Sequence, residues 1–150
     1  MKQIMVFIAA LCLASCSTKS YKVSESQESE SNQPIQTDSL VYGKIAEFYT
    51  DYVFGAKEVT DKVIRRYCTE KLAKKLKDAY DYDGEGYAIW EFRSDAQDGN
   101  EKSTVDSYEA LGDGKYKVYY NDMGTRGSCI ITVVTDGNKI LFDDIEKVMK

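Results

Sequence analysis

The spacing of apolar residues along this chain changes once, at the turn-rich segment Asp81-Tyr82-Asp83-Gly84-Glu85-Gly86. Before it the repeat is helical. Val41, Ile45, Phe48 and Tyr52 fall at i, i+4, i+7 and i+11, which predicts one helix face, and Gly55 ends it. A short second helix is predicted over Val59–Tyr67, with Val63, Ile64 and Tyr67 inward. Thr69 is placed to cap a third, Glu70–Tyr80, in which Leu72, Leu76 and Tyr80 recur every four residues.

After that segment the repeat is two. Tyr87–Arg93 places Ala88, Trp90 and Phe92 on one face of a predicted strand, and Ser103–Leu111 reads as a weaker one. Gly112-Asp113-Gly114 turns the chain into Lys115–Asn121, where Tyr116, Val118 and Tyr120 share a face. Asp122–Gly127 turns again. Ser128–Thr135 is strongly β-favouring, and Asp136-Gly137-Asn138 leads into a last strand, Lys139–Val148. Three helices followed by a meander of four to five strands make an α+β domain, with a curved antiparallel sheet wrapped on the first helix.

The amino terminus carries a different message. One lysine, Lys2, precedes an uncharged apolar run, Ile4–Ala14, of 11 residues. That is the pattern of a secretory signal, and it is shorter than the roughly 20 residues a membrane span needs. Its end, Leu13-Ala14-Ser15-Cys16, resembles the bacterial lipobox. The resemblance implies cleavage after Ser15 and lipidation of Cys16, with several acyl chains giving stable anchoring where one does not. Ser17, in place of an aspartate, implies by the same resemblance sorting to the outer membrane, facing the periplasm. Residues 17–38 are rich in Ser, Glu and Gln and contain the sole proline, Pro34. They read as a disordered tether. The expected division is a signal peptide over 1–15, the lipidated cysteine and tether over 16–38, and the folded domain over 39–150.

Charge and composition narrow the function. The chain carries a net charge of −5, and losing Lys2 with the leader makes it −6. Such a balance argues against nucleic-acid binding, which needs clustered Lys and Arg. The expected partners are the membrane, through the lipid anchor, and a small ligand or envelope protein. The chain contains no histidine, which removes the commonest general base and zinc ligand. No metal or cofactor is expected. Of four cysteines, Cys12 leaves with the leader and Cys16 takes lipid, so Cys68 and Cys129 remain, either paired as a disulfide or buried as small apolar residues.

The order of elements resembles the cystatin-like, NTF2-like α+β cone. The chain is similar, more narrowly, to the DUF3828 group of small Bacteroidetes lipoproteins. The residues that carry this are Phe48-Tyr49-Thr50-Asp51-Tyr52-Val53, Tyr67-Cys68-Thr69-Glu70-Lys71-Leu72 and Asp81-Tyr82-Asp83. Trp90-Glu91-Phe92-Arg93 leading to Asp95-Ala96-Gln97-Asp98-Gly99 belongs with them, as does the closing Phe142-Asp143-Asp144-Ile145. The group supplies no catalytic residues. Enzymes of the wider class often use an Asp–His pair, which a chain without histidine cannot form.

Several constellations remain as candidates. Asp81-x-Asp83-Gly84-x-Gly86 looks like the start of a calcium loop, but its glycine is early and Phe92 stands where the closing glutamate belongs, so an Asp-rich turn is the better reading. Asp95 and Gln97 either line a cone mouth or, with Asp98-Gly99, belong to a plain turn, which is the better reading. The chain has 12 tyrosines and one tryptophan. Tyr49, Tyr52, Trp90, Tyr116 and Tyr120 form either a ligand pocket or an aromatic core. Arg65-Arg66 reads as a solvated helix edge unless an anion lies opposite. The leading expectation is a non-catalytic binding or interaction domain. The alternatives are a hydrolase or isomerase using a carboxylate such as Asp51 or Glu91, and a toxin-immunity-type inhibitor. A filled cone would leave a surface that binds protein.

Overall fold

A computed structural model describes residues 33–96 and 98–148, with side chains from residue 37 onward. Cys16, the leader, most of the tether and Gln97 lie outside the described residues. The fold is α+β: three helices, α1 (Gln33–Phe48), α2 (Asp61–Tyr67) and α3 (Glu70–Asp78), precede a four-stranded antiparallel sheet. The strands β1 (Thr104–Gly112), β2 (Lys115–Asp122), β3 (Thr125–Asp136) and β4 (Lys139–Lys147) pair in sequence order.

Helix α1 begins at Gln33, so residues 33–38 belong to the folded unit and not to the tether expected from composition. Pro34 sits in its first turn, where a missing N–H is no loss. Asp38 is tied down as well, because its carboxylate accepts a hydrogen bond of 2.7 Å from the Tyr116 hydroxyl. Val41, Ile45 and Phe48 are buried as their spacing predicts, but Tyr52 is only half-buried. The helix widens into a π-helical turn over Tyr49–Val53, closed by the Phe54 N–H on the Tyr49 carbonyl at 2.8 Å. The widening rotates the face, so Tyr49 and Val53 turn inward in place of Tyr52. Gly55 ends the segment for a steric reason: a Cβ there would lie 2.3 Å from the Thr50 carbonyl oxygen.

Thr60 caps α2 and Thr69 caps α3, each accepting from the backbone N–H three residues on. Thr69 also joins the helices to the sheet. Its N–H donates to the Phe142 carbonyl at 2.9 Å, and its hydroxyl donates to Asp143 at 2.9 Å. Two-residue turns at Asp113-Gly114 and Met123-Gly124 have positive φ at both positions, the geometry that matches strand twist in a hairpin. The second turn is tighter than expected, so β2 and β3 reach Asp122 and Thr125. Bulges at Asp106 and Leu111 in β1 and at Asp143 in β4 add bend to the sheet.

The expected strand Tyr87–Arg93 does not exist. Ile89–Phe92 is a 3-10 turn, with Glu91 N–H on the Ala88 carbonyl and Arg93 N–H on the Trp90 carbonyl, both at 3.1 Å. Ala88 and Phe92 are buried, whereas Trp90 between them stays half-exposed. A short apolar run satisfies either period, and here the Ala88 N–H is already used by the Leu76 carbonyl at the end of α3.

The core lies between α1 and the inner face of the sheet, and it is aromatic. The Phe48 ring packs 5.0 Å from Tyr67, 5.0 Å from Phe92 and 5.5 Å from Phe142. Val118 and Ile131 close it from the sheet, both fully buried. Each such side chain contributes about 1.5–3 kcal/mol of burial.

Candidate functional site

The five aromatic residues considered for a pocket do not gather in one. Tyr49 and Tyr120 are core residues, with ring centroids 6.3 Å apart. The Tyr49 hydroxyl donates to the Phe92 carbonyl at 2.7 Å and lies 3.0 Å from the Cys129 sulfur. Burial, then the neighbouring Cys129, pushes the Tyr49 pKa well up. Tyr116 stands elsewhere on β2, edge-on to Tyr42, its pKa raised to about 12 by burial and then by its hydrogen bond to Asp38. Tyr52 packs on Phe48 and Tyr67. Trp90 is outside the core altogether. Phe48, Phe92, Val118, Ile131 and Phe142, all at 0 % exposure, fill the space a ligand would need.

A cleft of about 500 Å³ does open between the π-helical turn and β1, walled by Tyr49, Phe54, Val105 and Tyr108. Among the described residues no carboxylate lines it. Asp51 is paired with Lys57 at 2.7 Å, and Glu91 lies on the 3-10 turn. Neither is placed as a base facing this cleft.

The disulfide does not form; both cysteines are free and buried. Cys68 bridges to Phe142 and Cys129 pairs with Lys147. Those β4 positions are five residues apart, roughly 16 Å along a strand, beyond the reach of a disulfide. Burial raises the Cys68 thiol to about 12 and the Cys129 thiol to about 11, so neither is a ready thiolate.

Among the described residues one acid is fully buried. Asp122, at the end of β2, takes five hydrogen bonds: two from Arg93, two from the Ser94 N–H and hydroxyl, and one from the Ser103 hydroxyl. Burial alone would raise its pKa, but the donors of Arg93, Ser94 and Ser103 outweigh that and hold it below the ordinary carboxylate range. Asp122 is therefore an anchoring post. It pins Arg93 and Ser94, just after the 3-10 turn that presents Trp90, to the end of β2. The two-residue repeat Tyr116, Val118, Tyr120 carries on to position 122, and this was the signal for it.

The post supports a second aromatic group on the surface. Trp90 stacks on Tyr80 at 5.6 Å and meets Tyr82 edge-on at 5.4 Å. Gly86 makes room, since a Cβ there would sit 2.4 Å from the Tyr80 ring. Tyr82 is 67 % exposed. Tyr82 and Trp90 share a depression of about 550 Å³ with Asp81, Arg93, Ser94 and Asp95. Asp95 is paired with Lys147 at 2.9 Å, with a side-chain exposure of 87 %. Of the residues singled out from sequence, this site unites Trp90 and Asp95. Asp81 comes from the Asp-rich turn weighed as a calcium loop, Tyr82 and Arg93 are additions, and a large aromatic residue within an Asp-Gly turn was the legible sign of Tyr82.

Arg93 is committed to Asp122. What the depression offers a ligand is thus a ring platform flanked by two carboxylates. That suits a group with a stacking face or a positive charge, and with hydrogen-bond donors.

No family model matches the chain, and no curated protein matches it. A search of solved structures shows similarity to the crystal structure of a protein of unknown function from Bacteroides thetaiotaomicron VPI-5482. The two are 26 % identical, the match covers 75 % of this chain and 95 % of the other, and the TM-score is 0.54.

Proposed function

We propose that this chain is an exported lipoprotein, anchored through Cys16 to the outer membrane and facing the periplasm. Its domain, a filled variant of the NTF2-like cone akin to the DUF3828 group, binds an envelope partner without catalysis. The face that does so is Tyr82–Trp90 with Asp81 and Asp95, and the partner presents a basic peptide segment. The observation that carries this reading is a large aromatic side chain held 67 % exposed against the sole tryptophan, beside two acids. The interior supports it from the other side, because aromatic side chains occupy the space of an internal ligand. The carboxylate-enzyme alternative has little support. Asp51 is tied to Lys57, and the buried Asp122 is held ionised by its donors.

Trp90 is the single tryptophan, so its fluorescence reports on the site alone. A lysine- and arginine-rich peptide should shift its emission saturably, and an acidic peptide should not. Tyr82→Ala should weaken binding about tenfold, the value of one cation–π or aromatic contact. A response unchanged by Asp81→Asn with Asp95→Asn would overturn the proposed face. The anchor is tested separately by labelling cells with a palmitate analogue: Cys16→Ser should lose the label, and a labelled variant would sink the lipoprotein reading.

A further inference from the structure

A groove of about 760 Å³ lies between α1, α2 and the β3–β4 turn. Its charge runs against that of the chain. Lys44, Arg65, Arg66 and Lys139 line it against one acid, Glu47, although the chain as a whole carries −5. Leu40, 61 % exposed, and Ile140 add apolar surface. The wall is open at Gly43, where a Cβ would meet nothing within 4 Å.

The cations are held loosely by carboxylates at the surface. Arg66 pairs with Glu47 at 2.8 Å and Arg65 with Glu70 at 2.7 Å, in pairs whose side chains are between 43 % and 78 % exposed. Exposed pairs of this kind contribute little to stability, so an incoming anion can displace them. Lys44 donates to the Arg66 carbonyl at 3.2 Å and lies 4.8 Å from the Tyr67 ring, with the Arg66 guanidinium at 5.3 Å from the same ring. Burial first, and then Arg66, lowers the Lys44 pKa against a smaller raising pull from Glu47, so the anionic charge at hand does not balance the cations.

Tyr67 lies beside the same acid. Burial, and next a hydrogen-bonding interaction with Glu47, raises its pKa, although the hydroxyl makes no bond of ordinary hydrogen-bond geometry. Glu47 released from Arg66 would be free to close that bond.

We propose that this groove binds an organic phosphate. The dianionic head of a phosphomonoester would replace Glu47 on Arg66 and draw in Lys44 and Lys139, while the organic part lies against Leu40 and Ile140. Arginine forks match phosphate oxygens, and a dianion balances more of this charge than one carboxylate would. The site stands on its own geometry and is independent of the Tyr82–Trp90 reading.

The test is isothermal titration of the full chain, in a non-ionic detergent, with phenyl phosphate. Saturable binding with a Kd on the order of 0.1–1 mM is expected, weakened at least about tenfold by Arg65→Glu with Lys139→Glu. Both positions are exposed, and an unchanged thermal midpoint shows that the double variant is folded. Gly43→Leu should block the groove without altering its charge. Co-sedimentation with phosphatidylcholine vesicles with and without phosphatidic acid separates the sources. A phosphatidic-acid-dependent increment marks a lipid headgroup, and titration without it marks a soluble ester. No saturable heat up to about 10 mM, or heat unaffected by the double variant and by Gly43→Leu, would overturn the proposal.

Discussion

Two groups of aromatic residues in this domain use similar side chains in opposite surroundings. Phe48, Tyr49, Phe92 and Phe142 are at most 1 % exposed, and the one hydroxyl among them is matched to a backbone carbonyl and a thiol. Tyr80, Tyr82 and Trp90 pack on one another just as closely but face solvent, with Tyr82 two-thirds exposed. Ring-to-ring geometry alone therefore does not tell core from binding surface. What separates the two groups is what encloses them. The first is closed by Val118 and Ile131 from the sheet and by α1, and the second is bordered by Asp81 and Asp95.

The largest expected effect lies in the first group. Phe48→Ala should cost about 3–5 kcal/mol in urea unfolding, since it opens a cavity among four other rings. A loss below about 1 kcal/mol would mean that the interior collapses freely and is not the packed structure its burial implies.

The link between the groups comes next. Asp122→Ala would strip Arg93 of its partner while the guanidinium stays largely buried. Discounted for its 26 % exposure, the cost should be about 2–4 kcal/mol. Trp90 emission should change with it, because the segment that carries Trp90 loses its post. The pH dependence has a definite sign. Asp122 has a folded pKa below its unfolded value of about 3.9, so its stabilisation is complete above that pH and is lost as pH falls through the folded pKa. Asp143, lowered chiefly by Lys71 and then Thr69, titrates in the same window. Asp122→Asn should therefore flatten the loss of stability below about pH 4 without abolishing it. Unfolding curves with unchanged slope against pH would contradict the assignment.

How much of this was legible in advance follows the physics of each element. The hairpin turns carry Gly at positions needing positive φ, and Thr69 stands one residue before a helical repeat, so these features could be read directly. The inward face Tyr116, Val118, Tyr120 was legible too, and stopping it one residue early hid Asp122 inside a presumed turn. The π-helical turn was not legible, because Tyr49 and Tyr52 are equally apolar and only packing decides which turns inward. Nor was the 3-10 turn, where a run of apolar residues fits two periods. Gln33–Asp38 looked like tether by composition. Asp38 is ordered by Tyr116, a partner 78 positions away, which no local window contains. The surface site was half legible. Asp95 was singled out for a cone mouth and Trp90 for an aromatic pocket, but their neighbours Tyr82 and Asp81 come from a segment read as an Asp-rich turn.

Within the core, Tyr49→Phe should cost about 1–2 kcal/mol, because the Phe92 carbonyl and Cys129 both lose the hydroxyl. Urea unfolding measures this cost. The variant should also push the Cys129 thiol further up, because the Tyr49 hydroxyl partly offsets the effect of burial there. A loss below about 0.5 kcal/mol would mean that neither partner depends on the hydroxyl.

The smallest effect on stability should come from the second group. Tyr82→Ala removes an exposed ring and should cost less than about 1 kcal/mol. The fluorescence of Trp90 should nonetheless shift to the red, since its edge-on neighbour is replaced by water. A small stability change with a large spectral change is what a ring held out for a partner predicts. A cost approaching that of Phe48→Ala would place Tyr82 among the structural residues, and the contrast between the two aromatic groups would collapse.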